Sequence, residues 1–231
     1  MAVQYNFSQT LSELAKGFEN TVLLFFLTLL FALPLGLLIS LGTTSRIKPI
    51  KWFLKGVVWV IRGTPLILQI VLISLIPFYV FGIPNKEITI FFDIMMADLL
   101  FVFCLIAFVI NYACYFSEIF RGGIQSISKG QYEAGAVLGM KKKQVFRHIV
   151  LPQMTKRIVP PMSNEIITLV KDTSLARSIG VIEIIQQAEK VGDRNVSILP
   201  LFYAGAFFLI FNGLLTLLFG YIERKLDYYK I

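Results

Sequence analysis

Residues 21–42 carry no charged side chain, and this run constrains the chain more than any other feature. At about 1.5 Å per residue it reaches across the hydrocarbon of a bilayer as one helix, with Pro34 a predicted kink. Four further stretches read as spans. One runs from about Val57 to Phe81 and one from about Leu99 to Phe120; a third begins irregularly near Ile158, and the last covers Pro200 to about Tyr221. A 231-residue chain that is 56% hydrophobic, with 21 phenylalanines, holds more apolar surface than a soluble domain of that length hides. The expected fold is an all-α integral membrane protein of five transmembrane helices, with residues 1–231 as a single domain.

Charge orients these spans. Segment 43–56 carries Arg46, Lys48, Lys51 and Lys55 and no acidic residue, while 121–157 sets eight basic residues against Glu133 alone. Segment 84–98 instead holds Lys86 against Glu87, Asp93 and Asp98, and 177–199 is balanced at three of each sign. Positive charge concentrates on the cytoplasmic side, which predicts the N-terminus outside and the C-terminus inside. The net charge of +8 thus follows the membrane and requires no nucleic acid. Residues 1–20 are amphipathic, with Phe7, Leu11, Leu14 and Phe18 at helical spacing and no cleavable signal pattern. Residues 173–199 are too polar to span and read as a short extracytoplasmic helix or a re-entrant hairpin.

Several chemistries are not expected. Cys104 and Cys114 lie ten residues apart on one predicted helix, roughly 15 Å along its axis, too far to bridge. The lone His148 leaves no cluster for a metal, and no phosphate-binding G-x-x-x-x-G-K-[ST] run exists.

One polar, glycine-punctuated segment, residues 128–153, stands apart. Ser128 with Gln131 predicts a capping box opening a short helix through Tyr132, Ala136 and Leu138. Gly139 predicts a left-handed turn, and a second helix should run from near Lys141 to Leu151, stopped by Pro152. Ala134, Gly135 and Ala136 would let another protein approach the backbone, and Tyr132, Val137, Leu138 and Met140 would offer apolar area. Two readings follow: a docking segment, or a helix held on the membrane surface by Lys141, Lys142, Lys143 and Arg147.

Polar groups inside spans are costly and are the natural functional candidates. Asn111, Tyr115 and Glu118 follow i, i+4, i+7; Glu165, Thr168 and Asp172 follow i, i+3, i+7; Arg62 and Gln69 share a face. With Thr64 and Asn212, these four helices bring polar groups to a common level, as a solute pathway would. Asn212 and Thr64 also suit helix–helix hydrogen bonding, and Arg62 could pair with Glu118. Glu165 is the strongest lining candidate, because a carboxylate near the midplane needs a cation, donors or a proton. Tyr112 and Tyr115 read first as packing residues.

The order Glu133-Ala134-Gly135, Gly139, then Leu151-Pro152 resembles the EAA loop of membrane subunits of bacterial ABC importers, with Gly135 where a second alanine is usual. Val60–Leu66 followed by Gln69, Asn111-Tyr112-Ala113, Ser117-Glu118-Ile119, Arg121-Gly122-Gly123-Ile124 and Lys171-Asp172-Thr173-Ser174-Leu175 are similar to the polar amino acid permeases of that class. Tyr112 and Cys114 depart from the small residues more usual there. The resemblance implies a type I ABC importer fold and a multi-pass location in the bacterial cell membrane. It implies a second permease subunit, two ATPase subunits carrying ATP and Mg, and an extracytoplasmic amino-acid-binding protein, with no cofactor on this chain. It places Tyr132, Glu133, Ala134, Gly135, Leu138 and Gly139 against the ATPase. The pathway candidates are then Glu165, Asn111, Thr64, Tyr115, Asn212, Thr168 and Glu118, and the carboxylate of Glu165 favours cationic amino acids over neutral polar ones. An intramembrane enzyme would need a nucleophile with its base, or paired carboxylates at one depth. A channel would need a filter-like run of glycines and carbonyls. Neither pattern is present, so the chain is expected to be a transport subunit and not an enzyme.

Overall fold

A computed structural model describes residues 5–82 and 98–226, and every described element is helical. Helix α1, Phe7–Thr43, opens on a capping box in which Asn6 and Gln9 exchange side-chain-to-backbone bonds, and it passes through Pro34 unbroken. α2 is Lys48–Arg62, α3 is Leu66–Tyr79 and α4 is Leu99–Gln125, the last capped by the Asp98 carboxylate. The loop helices α5, Lys129–Val137, and α6, Lys142–Val145, follow. A π-turn over Phe146–Val150 joins α6 to α7, Leu151–Asp172, and a 3₁₀ segment covers Thr173–Ile179. α8, Ile184–Asn195, and α9, Leu199–Leu226, complete the chain.

Of the five predicted spans, α1, α4 and α9 are each long and apolar enough to cross a bilayer. The predicted second span is not one straight helix. It is α3 joined to α2 through a bend of 108° at residues 63–65, where Gly63-Thr64-Pro65 interrupts the ladder. α7 is long enough, about 33 Å, but Lys156, Arg157, Glu165, Lys171, Asp172 and two consecutive prolines leave it too polar to recognise by composition. Pro152 does not stop a helix as expected. It lies just after the π-turn in a helical run that is continuous from Lys142, and that local widening of the ladder accommodates its missing N–H. The acidic segment around Lys86, Glu87 and Asp93 lies outside the described residues.

The α1–α4 pair forms the spine. Thr28, Ala32, Gly36, Ser40 and Thr43 continue a buried small-residue seam along α1 that lets helix axes draw together, and its first members, Gly17 and Thr21, face α8. A Cβ on Gly36 would stand 2.9 Å from both the Ala113 carbonyl oxygen and the Phe116 Cβ of α4. Around this seam Phe25, Ile70, Phe108, Tyr112, Phe116, Leu169 and Val170 build the central core. At the end where the chain begins, α8 lies along the first turns of α1. Gln187 donates to Glu13 at 2.7 Å, and Tyr5 and Asn195 exchange bonds of 2.8 and 3.1 Å. Residues 173–199 therefore take the helical form of the two expected.

Candidate functional site

The bend between α2 and α3 frees backbone carbonyls that no helix satisfies. Gln69 serves them: its Nε2 lies 2.8 Å from the Ile61 carbonyl, 3.2 Å from the Thr64 carbonyl and 2.8 Å from the Thr64 hydroxyl. Its Oε1 accepts a 2.9 Å bond from Asn111 Nδ2 of α4, and Asn111 is only 4% exposed. Two of the expected pathway residues, Thr64 and Asn111, are thus joined through Gln69 in a latch that closes the bend.

Below this latch, toward the C-terminal end of α4, a cleft of about 420 Å³ opens between α2, α4 and α7. Its lining includes Arg62, Tyr115, Glu118, Arg157 and Glu165. Glu118 is gripped by Arg121 at 2.9 and 2.5 Å, and Arg62 approaches the same carboxylate at 3.8 Å. The Arg62 guanidinium also lies over the Tyr115 ring, 5.0 Å from its centroid, the geometry of a cation–π contact. Arg157 donates to the Ser126 carbonyl. Among the described residues Glu165 makes no hydrogen bond or ion pair, and it is half-buried. The cleft exists because α4 and α7 cross closely at Gly123, where a side chain would collide with Ile158.

The expected pathway residues therefore divide. Tyr115, Glu118 and Glu165 share the cleft, and Arg62 and Glu118 do pair. Arg62 shares this cavity with Glu165, because the bend at 63–65 ends α2 there. Thr168 is exposed and bonds back to the Asn164 carbonyl. The Asn212 Oδ1 is buried on α9 without a hydrogen-bond partner among the described residues. Sequence reasoning missed Tyr112, whose hydroxyl donates to Asp172 at 2.7 Å. A tyrosine set mid-span needs an acceptor for its hydroxyl, and that was the available signal.

The loop at 128–153 is held by its own small core of Ile127, Val145 and Val150, with Met140 packed against it. Met140 is thus not part of an offered surface. Gly135 is not open to another protein either: it is buried, and a Cβ there would stand 2.5 Å from Val145 Cγ2. Gly139 adopts φ +70°, the left-handed turn expected of it, and the Met140 N–H closes the wrap on the Gly135 carbonyl at 3.0 Å. The Ser128 side chain forms no capping box; Gln131 instead accepts from Gln153 at 3.2 Å. What the loop does present is Tyr132, Glu133, Ala134 and Ala136, with Val137 87% and Leu138 76% exposed.

Residues 32–228 match the family described as binding-protein-dependent transport system inner membrane component. The chain is 37% identical to the L-cystine transport system permease protein TcyB of Bacillus subtilis (strain 168), over 94% of its own length and 87% of that protein. It is 32% identical to the arginine transport system permease protein ArtQ of the same organism, over 96% of its length and 97% of that protein. A crystal structure of an amino acid ABC transporter with histidines superposes with a TM-score of 0.76 at 28% identity, covering 96% of this chain and 100% of that one.

Proposed function

Because the chain belongs to the binding-protein-dependent transport system inner membrane component family, we propose that its cleft at Arg62, Glu118 and Glu165 is where an amino acid passes through it. The chain is a multi-pass membrane permease subunit of an ABC importer with the type I fold, and it is not itself an enzyme. The family implies an ATPase and a second permease as partners. In our reading the exposed Tyr132, Glu133, Ala134 and Leu138 dock on the ATPase, which binds ATP and Mg, and Gly135 and Gly139 hold them in position. An extracytoplasmic binding protein delivers the solute near α8, and the assembly sits in the bacterial inner membrane with the basic loops inside.

The observation that carries the substrate reading is the contrast between two carboxylates in one cleft. Glu118 is matched by Arg121 and Arg62, while Glu165 shares the cavity with Arg62 but makes no hydrogen bond or ion pair among the described residues. An amino acid supplies what each side lacks: its carboxylate suits the edge of Arg62, and its ammonium, or a basic side chain, suits Glu165. Cationic amino acids are favoured on this account and neutral polar ones come next. Glu165→Gln keeps the shape and deletes the charge. In the reconstituted complex it should weaken the apparent affinity for a basic amino acid by about 1–3 kcal/mol and leave unstimulated ATPase activity unchanged. Unaltered affinity in the variant, or a wild-type preference for acidic amino acids, would return Glu165 to helix packing.

A further inference from the structure

α2 carries four basic residues where α3 carries no charge, and the two meet near a right angle, at 108°. Where α3 runs across the membrane, α2 therefore runs along its surface. Its inner side is settled: Val58 is buried, and Leu54 lies over Gly42 of α1. The rest of the helix surface is of two kinds. At about 100° per residue, Lys48, Lys51 and Lys55 fall in one arc of about 60°. Phe53 and Val60 occupy the arc on the other side, both at least half exposed. Trp52 and Trp59 flank the lysine arc, 69% and 77% exposed, and the Lys55 ammonium sits 5.7 Å from the Trp52 ring centroid.

No acidic residue occurs between 43 and 56, and Glu118 of α4, a carboxylate within electrostatic reach of Lys55, is already held by Arg121. Exposed phenylalanine and valine beside a row of ammonium groups, with indoles at the boundary, match a bilayer interface layer by layer. Apolar side chains take the acyl chains, indoles the headgroup level, and lysines the phosphates. Water would leave the first set uncovered, and a protein partner would need both a greasy and an acidic strip at this spacing. We propose that α2 is an interfacial helix whose Lys48, Lys51 and Lys55 bind the headgroups of anionic phospholipids. The helix ends at Arg62, so a lipid that fixes α2 also fixes one wall of the cleft.

The chain carries its own probe, because its two tryptophans, Trp52 and Trp59, both lie on this helix. The full chain in nanodiscs of mixed phosphatidylglycerol and phosphatidylcholine, with bromine on the acyl chains of one lipid at a time, reports which lipid lies beside α2. Brominated phosphatidylglycerol should quench about threefold more strongly than brominated phosphatidylcholine at equal mole fraction, a modest share of what three lysines can supply. The preference should vanish in Lys48→Gln/Lys51→Gln/Lys55→Gln, and also in the unmutated chain at high salt, a control that needs no variant to fold. Equal quenching by the two lipids, a preference that survives high salt, or no quenching by either would each overturn the proposal.

Discussion

Asp172 ends α7, and its one side-chain hydrogen bond among the described residues comes from Tyr112. Removing the tyrosine hydroxyl leaves a half-buried carboxylate to find water or a proton. Tyr112→Phe should therefore destabilise the detergent-solubilised chain by about 1–3 kcal/mol, read as a lowered thermal unfolding midpoint. An unchanged midpoint would mean that Asp172 is solvated without it. The pair also marks how far single residues can be read from sequence. Glu118, Tyr115 and Glu165 were legible as lining because helical spacing puts polar groups on one face. Asn111 had the same spacing, but its amide turns to Gln69, and periodicity says nothing about which neighbour a side chain will choose. Tyr112 reads as packing because its ring is in the core, and only its terminal oxygen makes a polar contact.

At the scale of elements, the loop at 128–153 depends on one backbone conformation. Gly139 at φ +70° sets α6 against α5, and a β-branched residue resists that conformation by about 1–2 kcal/mol. Gly139→Val should leave the spans folded while reducing ATP-dependent uptake, and co-purification with the ATPase checks whether docking itself is lost. Normal uptake and normal assembly would show that the turn can be relaxed. This turn was legible because glycine between two helical patterns has few other uses. The bend at 63–65 was not, although Gly-Thr-Pro punctuates it. The apolar run continues through the break, and hydrophobicity alone cannot tell a straight span from a bent one. Pro152 misled in the opposite sense: helical backbone runs unbroken from Lys142 to Asp172, and the π-turn just ahead of the proline accommodates its missing N–H. α4 and α9 lie close to where the apolar runs placed them.

Over the whole molecule, α8 ties the beginning of α1 to the beginning of α9 through Leu14, Ile184, Ala188 and Ala204. Its N-cap is Glu183, only 1% exposed, which accepts from the Ile185 and Gln186 N–H groups at 2.9 and 2.8 Å. Burial pushes its carboxyl above the ordinary range, and the two N–H bonds offset only part of that. A carboxyl raised by folding binds its proton more tightly in the folded chain than in the unfolded one. Its contribution to stability is fully present below the ordinary carboxylate value and is lost as pH climbs through the raised one. The unfolding midpoint of the wild type should therefore fall, relative to that of Glu183→Gln, as pH rises from about 4 toward 7. A difference between the two that stays constant with pH would rule this out.

Gln69 grips the elbow between α2 and α3 with one end and α4 with the other. An axial roll of α4 cannot then proceed alone: it drags the elbow with it, or it forfeits the buried Asn111–Gln69 hydrogen bond. The elbow carries Arg62, and α4 carries Tyr115 and Glu118, so these three charged and aromatic groups travel as one jaw. Arg157, Pro161 and Glu165, on α7, form the opposing jaw, tied to the C-terminal end of α4 through the Arg157–Ser126 bond. Sliding α7 past this unit would widen or narrow the cleft without unmaking the Arg62–Glu118 contact, but it would break the Arg157–Ser126 bond. A solute held between Arg62 and Glu165 would be released from one side first, its ammonium before its carboxylate or the reverse, according to which jaw moves.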